Sequence, residues 1–113
     1  MIEYWHNPRC SKSRAGLALL EENGAQITVR KYLEDAPSAD ELRAAHAALG
    51  LPVIDMVRSG EKRFKELGLT KTASDDELIR AMAANPILIE RPLAIARDKA
   101  AIGRPPENLL ILL

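Results

Sequence analysis

The sequence predicts an α/β fold: a mixed sheet flanked by helices, with a helical insert between a β-α-β half and a β-β-α half. Three observations carry this. A short run of β-formers leads at once into a helical pattern and then a second strand. The middle of the chain carries two helix-capping signatures. The last third holds two short apolar runs around a turn, closed by a Pro-Pro-Glu helix start.

Taken in order, Ile2 to Trp5 is short and rich in strand formers. Ser11 to Asn23 places Ala15, Ala18, Leu19 and Glu22 on one helical side and Leu17 and Leu20 on a neighbouring one, and Gly24 supplies a left-handed stop. Ile27 to Lys31 then alternates apolar Ile27 and Val29 with polar neighbours. A β-α-β unit requires parallel pairing and a crossover helix, hence a sheet covered by helices. Ser38 with Glu41, and Ser74 with Glu77, have the spacing of capping boxes, and Gly50 and Asn85-Pro86 end the helices behind them. Val53 to Leu67 reads as short helical pieces. Leu93 to Ala96 and Ala100 to Ile102 read as strands joined by a turn around Arg97 to Lys99, and Pro105-Pro106-Glu107 opens a last helix through Leu113. This is the order of a thioredoxin-like fold in one domain, residues 1–113, with a helical insert at about 36–86.

At 113 residues with 47% hydrophobic side chains, the chain suffices for one small core. Its 16 basic and 16 acidic residues cancel, so no strong overall field draws it to nucleic acid or anionic lipid, and any bound anion must be held by local groups. Met1 to His6 lacks a basic segment followed by an apolar stretch, and no run approaches membrane-spanning length. A cytoplasmic protein that engages neither membrane nor nucleic acid is expected, acting as a monomer.

Cys10 is the single cysteine, so it forms no internal disulfide and cannot supply several thiolates to a zinc site. Two distant histidines add little, and no metal is expected. Cys10 falls at the junction of the first strand and first helix, in His6-Asn7-Pro8-Arg9-Cys10-Ser11-Lys12-Ser13-Arg14. Unpaired amides and the positive end of the helix dipole favour an anion there, and Arg9, Lys12 and Arg14 add positive charge. A lone cysteine is otherwise a small buried hydrophobe, but this basic company points to a reactive thiolate. Ser13 stands where a dithiol oxidoreductase carries its second cysteine, and its hydroxyl is a candidate hydrogen-bond partner for the sulfur. His6 is either a nearby cation that favours the thiolate or a residue that orders the loop. His46, mid-helix among alanines, reads as surface or core filling. Arg58, Arg91 and Arg104 stand out by context, the last two beside the final strands. A planar guanidinium holds a tetrahedral oxyanion through two parallel hydrogen bonds, which an ammonium cannot do.

With these residues in view, the chain resembles the arsenate reductases that use glutathione and glutaredoxin. The motifs are His6 to Arg14, the Arg58 segment, Asn85-Pro86-Ile87-Leu88-Ile89-Glu90-Arg91-Pro92, and Ile102-Gly103-Arg104-Pro105-Pro106. The resemblance implies that Cys10 attacks arsenate to form a covalent adduct. It also implies that Arg58, Arg91 and Arg104 bind the oxyanion, that His6 helps keep the thiol ionised, and that Ser13, Arg14 and Pro92 support the site, with a cis peptide at Arg91-Pro92. Glutathione is then a co-substrate, glutaredoxin the protein partner, and no cofactor is tightly bound. A glutathione-dependent reductase of another substrate, and a non-catalytic redox regulator, are the rival readings. Regulators of that kind typically carry a Cys-x-x-Cys switch, which Ser13 removes.

Overall fold

Strand-forming residues at the start of the chain make β1, Ile2–Trp5, which runs parallel to β2, Ile27–Arg30, with Ile2 opposite Ile27 and Trp5 opposite Arg30. On its other side β1 pairs antiparallel with β3, Leu93–Ala96, and β3 pairs antiparallel with β4, Lys99–Ile102. The result is a mixed four-stranded sheet in the order β2-β1-β3-β4. This computed structural model describes residues 1–113. It contains two compact units, one formed by Met1–Asp35 with Arg91–Leu113 and the other by Ala36–Glu90.

The sheet unit builds its core from alternate residues. Ile2 and Tyr4 of β1 point to the same face as Ala94 of β3 and Ala101 of β4, where they meet Leu20 of α1, Ser11–Glu22, and Leu109 of the closing 3-10 helix Pro106–Leu112. The buried stripe of α1 runs through Ser13, Gly16 and Leu20, with Leu17 beside it. Of the two neighbouring sides read from the sequence, the one with Leu17 and Leu20 faces the core, and Ala15 and Ala18 are exposed. Small alanines bury too little area to orient a helix, whereas Ser13 is drawn inward by hydrogen bonds described below. The β3–β4 turn is tighter than expected, with Arg97 at φ 57° and Lys99 already in the strand.

The second unit is helical: α2, Ala39–Leu49; a 3-10 turn, Val53–Met56; α3, Lys62–Glu66; α4, Asp75–Ala84; and a 3-10 turn, Pro86–Leu88. Both expected capping boxes are closed, Ser38 with Glu41 and Ser74 with Glu77, and Gly50 ends α2 in the left-handed region. Leu42 and Ala45 of α2 and Leu78, Ile79 and Met82 of α4 are buried, and Arg43 links the two helices through Asp76 at 3.1 Å. The unit extends to Glu90 rather than about residue 86. An antiparallel bridge between Val57 and Ile89, and the Glu90 amide donating to Met56 at 2.7 Å, tie the last residues back to it. No helix is long and apolar enough to cross a membrane.

Candidate active site

Cys10 is the N-cap of α1, with extended backbone angles of −91° and 123°. Its amide donates to the Asn7 carbonyl at 3.0 Å, and its own carbonyl accepts from Arg14 N–H at 3.0 Å, so the residue is held from both sides. Asn7 Oδ1 accepts from Arg9 N–H, and Arg14 Nη1 donates to the Pro8 carbonyl at 2.8 Å. Arg14 therefore ties down the loop that presents the thiol.

The sulfur closes no short capping hydrogen bond, yet its surroundings favour the anion. Burial alone would push the thiol up. The amides of Ser13 and Lys12, then the Arg91 guanidinium as charge and as hydrogen-bond donor, outweigh burial and hold Cys10 below the usual thiol value. Arg104 joins the same place by a different route, its Nη1 donating to the Arg91 carbonyl at 3.0 Å. Leu93 and Ile102 face each other across β3 and β4, so the segments just outside them, Arg91-Pro92 and Gly103-Arg104, lie side by side. The Gly103 amide donates to the Pro92 carbonyl at 2.9 Å. A Cβ on Gly103 would stand only 2.7 Å from the Pro92 ring, which is why that position takes glycine. Arg91-Pro92 is cis, as expected, and so is Arg104-Pro105, which the sequence did not suggest.

His6 is buried at 8% exposure. Burial lowers its pKa, and the charges of Lys31 and Arg14 lower it further, against a smaller opposing effect of Glu21. The neutral ring is favoured. Ser13 is fully buried, and its hydroxyl serves His6 rather than the sulfur: Oγ lies 2.7 Å from His6 Nδ1 and accepts from Asn7 N–H at 3.0 Å. Only the Ser13 amide favours the thiolate.

Tyr4 belongs to this cluster and was missed. Its hydroxyl donates to the Ser13 carbonyl at 2.6 Å, and its ring lies 5.7 Å from that of His6. Burial pushes its pKa well above the ordinary value, so it remains a donor. Within the sequence, Tyr4 carries only the signal of an inward strand residue two places from Ile2. Arg58 lies in the helical unit, where its guanidinium pairs with Glu61 at 3.1 Å and donates to the Ile87 carbonyl at 3.4 Å. No group of three or more His, Cys, Asp or Glu residues is arranged to hold a metal ion. A cavity of about 940 Å³ opens beside Glu3, Thr28, Arg30 and Ile95 and is not lined by Cys10.

A thioredoxin-like sheet unit with one anion-favouring cysteine at a helix start, and no second thiol, defines a monothiol protein of thioredoxin-like fold. The ArsC family model matches residues 5–112, and the chain belongs to that family. An arsenate reductase of Neisseria meningitidis serogroup A is 49% identical over 110 residues, covering 96% of this chain and 94% of the relative. An Escherichia coli arsenate reductase is 38% identical over 113 residues, covering 99% of this chain and 80% of the relative. The solved structure of arsenate reductase from Vibrio cholerae aligns with a TM-score of 0.94 at 48% identity, covering 99% and 97% of the two chains.

Proposed function

We propose that this chain is an arsenate reductase in which Cys10 is the nucleophile and Arg91 and Arg104 hold the oxyanion. The observation that carries the reading is the pairing of a thiol with lowered pKa and a guanidinium that touches it, Arg91, whose carbonyl anchors a second guanidinium, Arg104. The names of the relatives agree with it. The Cys10 thiolate attacks arsenic(V), forming a sulfur–arsenic bond while one arsenate oxygen leaves as water. The arginines offset the negative charge that otherwise repels the approaching thiolate.

Glutathione then displaces a second oxygen as water, giving an arsenic bonded to both sulfurs. Glutaredoxin attacks the glutathione sulfur, the electron pair of that sulfur–arsenic bond stays on arsenic, and arsenic(III) is hydrolysed from Cys10 as arsenite. The absence of an internal resolving cysteine supports a scheme in which both electrons arrive from outside. A glutathione-fed thiol of this kind fits a cytoplasmic setting.

The test is NADPH oxidation coupled through glutathione reductase, with arsenate, glutathione and glutaredoxin supplied. Turnover that requires all three and is absent in Cys10→Ser supports the proposal. No arsenate-dependent turnover in a wild type whose Cys10 still exchanges with glutathione disulfide sinks the substrate assignment and leaves a reductase of another substrate.

A further inference from the structure

Gly16 is a glycine in the middle of α1, and Tyr4 is the reason. A Cβ at this position would stand 2.5 Å from the Tyr4 hydroxyl and 2.7 Å from Leu109 Cδ1. The end of the leucine can turn away, but the phenol is anchored. Its hydroxyl donates to the Ser13 carbonyl at 2.6 Å, and the Ser13 hydroxyl and the Leu17 amide face its oxygen as donors. Ser13 C=O and Leu17 N–H are the two ends of one i to i+4 step of the helix. The phenol oxygen therefore reaches into the hydrogen-bond ladder of α1 in the turns that follow Cys10, at the place Gly16 leaves open.

Both halves of this arrangement are locally unfavourable. A glycine inside a helix gives up backbone order that alanine would supply, and a buried hydroxyl must find partners where a phenyl ring needs none. Phenylalanine with alanine would fill a core without either cost. The pair instead fixes the turn that begins at Cys10. The amides that favour the thiolate are those of Lys12 and Ser13, the second and third residues of α1, and helix ends loosen unless something holds them. No side-chain hydrogen bond caps this helix start, and its first turn carries no acidic residue. Tyr4, fully buried on β1, ties the backbone of that turn to the sheet.

We propose that Tyr4 is a positioning residue for Cys10, its hydroxyl holding the first turn of α1 so that the Lys12 and Ser13 amides stay aimed at the sulfur. Arg91, ahead of β3, is the charged side chain that acts on the sulfur directly, whereas Tyr4 acts through the backbone. The thiolate charge in turn opposes ionisation of Tyr4, which keeps the phenol a donor. This inference deepens the proposed role of Cys10 and rests on it, but its readouts need no arsenate, so a failed turnover assay bears on the substrate alone.

The test is Tyr4→Phe in the full chain, read by thiolate absorbance and by alkylation of Cys10 with iodoacetamide across pH. The Cys10 titration should move up, and alkylation near neutral pH should slow by roughly three- to tenfold, the scale of one weakened hydrogen bond to a charged group. Above the titration, where every thiol is ionised, Tyr4→Phe should react at least as fast as the wild type. That split separates a positioning role from lost access. Ser38→Ala, which loses a helix cap in the other unit and stability with it, should leave both curves where the wild type has them.

An unmoved titration in a folded Tyr4→Phe, a slowing that persists at full ionisation, or an equal shift in Ser38→Ala would each overturn the proposal. Where Tyr4→Phe does not fold, the wild type decides by carbon-13 NMR. The Tyr4 Cζ resonance should step with the Cys10 titration and lose that step in Cys10→Ser, and a resonance that ignores the titration overturns the proposal as well.

Discussion

At the scale of single residues, Arg91 is the side chain whose replacement separates charge from geometry. It acts on Cys10 both as a charge and as a hydrogen-bond donor. Arg91→Lys keeps the first and loses the planar fork, and Arg104→Lys also loses the fork that reaches the Arg91 carbonyl. Each should cut arsenate turnover by about tenfold or more, the scale of one or two charge-assisted hydrogen bonds, while alkylation of Cys10 by an uncharged reagent changes much less. Equal losses in the two assays would argue that the arginines serve the thiol and not the oxyanion.

Cys10 also links stability to pH. Its folded pKa lies below the ordinary 9.0, so between the two values the native state binds fewer protons than the unfolded chain. The resulting stabilisation is complete above the ordinary value and is lost as pH falls through the folded one. Denaturant unfolding of wild type and Cys10→Ser across that range should show the wild type losing ground to the variant on the acid side. A pH-independent difference would mean that the thiolate is not stabilised by folding.

At the scale of elements, the two capped helices and the uncapped one contrast. Ser38 and Ser74 accept from the Glu41 and Glu77 amides, and each glutamate returns a bond to its serine amide. Ser38→Ala or Ser74→Ala should each cost about 1 kcal/mol, read as a lower urea midpoint at unchanged slope. The pair should fall slightly short of additive, because Arg43 and Asp76 join the two helices. α1 has no such cap. Cysteine occupies the position where serine or aspartate would satisfy the first amides, and those amides are left to favour a thiolate. The helix gives up capping stability at the one place where the chemistry needs unsatisfied donors.

At the scale of the whole chain, residues far apart in sequence meet where the sheet ends. Gly103 and Pro92 are joined by a backbone hydrogen bond and are close enough that a methyl group between them would meet the Pro92 ring at 2.7 Å and Leu109 at 2.9 Å. The end of Leu109 can give way, but the ring cannot. Gly103→Ala should therefore cost about 1–3 kcal/mol, as overpacking does. It should also depress turnover, because the displaced segments carry Arg91 and Arg104. Leu109→Ala, which opens space in the same core, should cost about 2–5 kcal/mol. Thermal unfolding of the two variants checks both, and a wild-type midpoint in Gly103→Ala would show that the strand ends yield more easily than their spacing implies.

The sequence by itself determined the order of elements, the ends of the capped helices, the thiol at a helix start and the family motifs. Those features are written in local chemistry: capping spacing, alternation, turn residues, and a cysteine among cations. Local patterns stopped short wherever a side chain's role depends on a partner distant in the chain. Two neighbouring sides of α1 carried apolar residues, and only packing turned Ser13, Gly16 and Leu20 inward. His6 left two roles open until burial disfavoured its charge, and Tyr4 looked like a strand residue until its hydroxyl found the Ser13 carbonyl. The tertiary structure alone decided these burials and contacts. A proton's place depends on desolvation and on which donor faces which acceptor, and both are set only when the chain has folded.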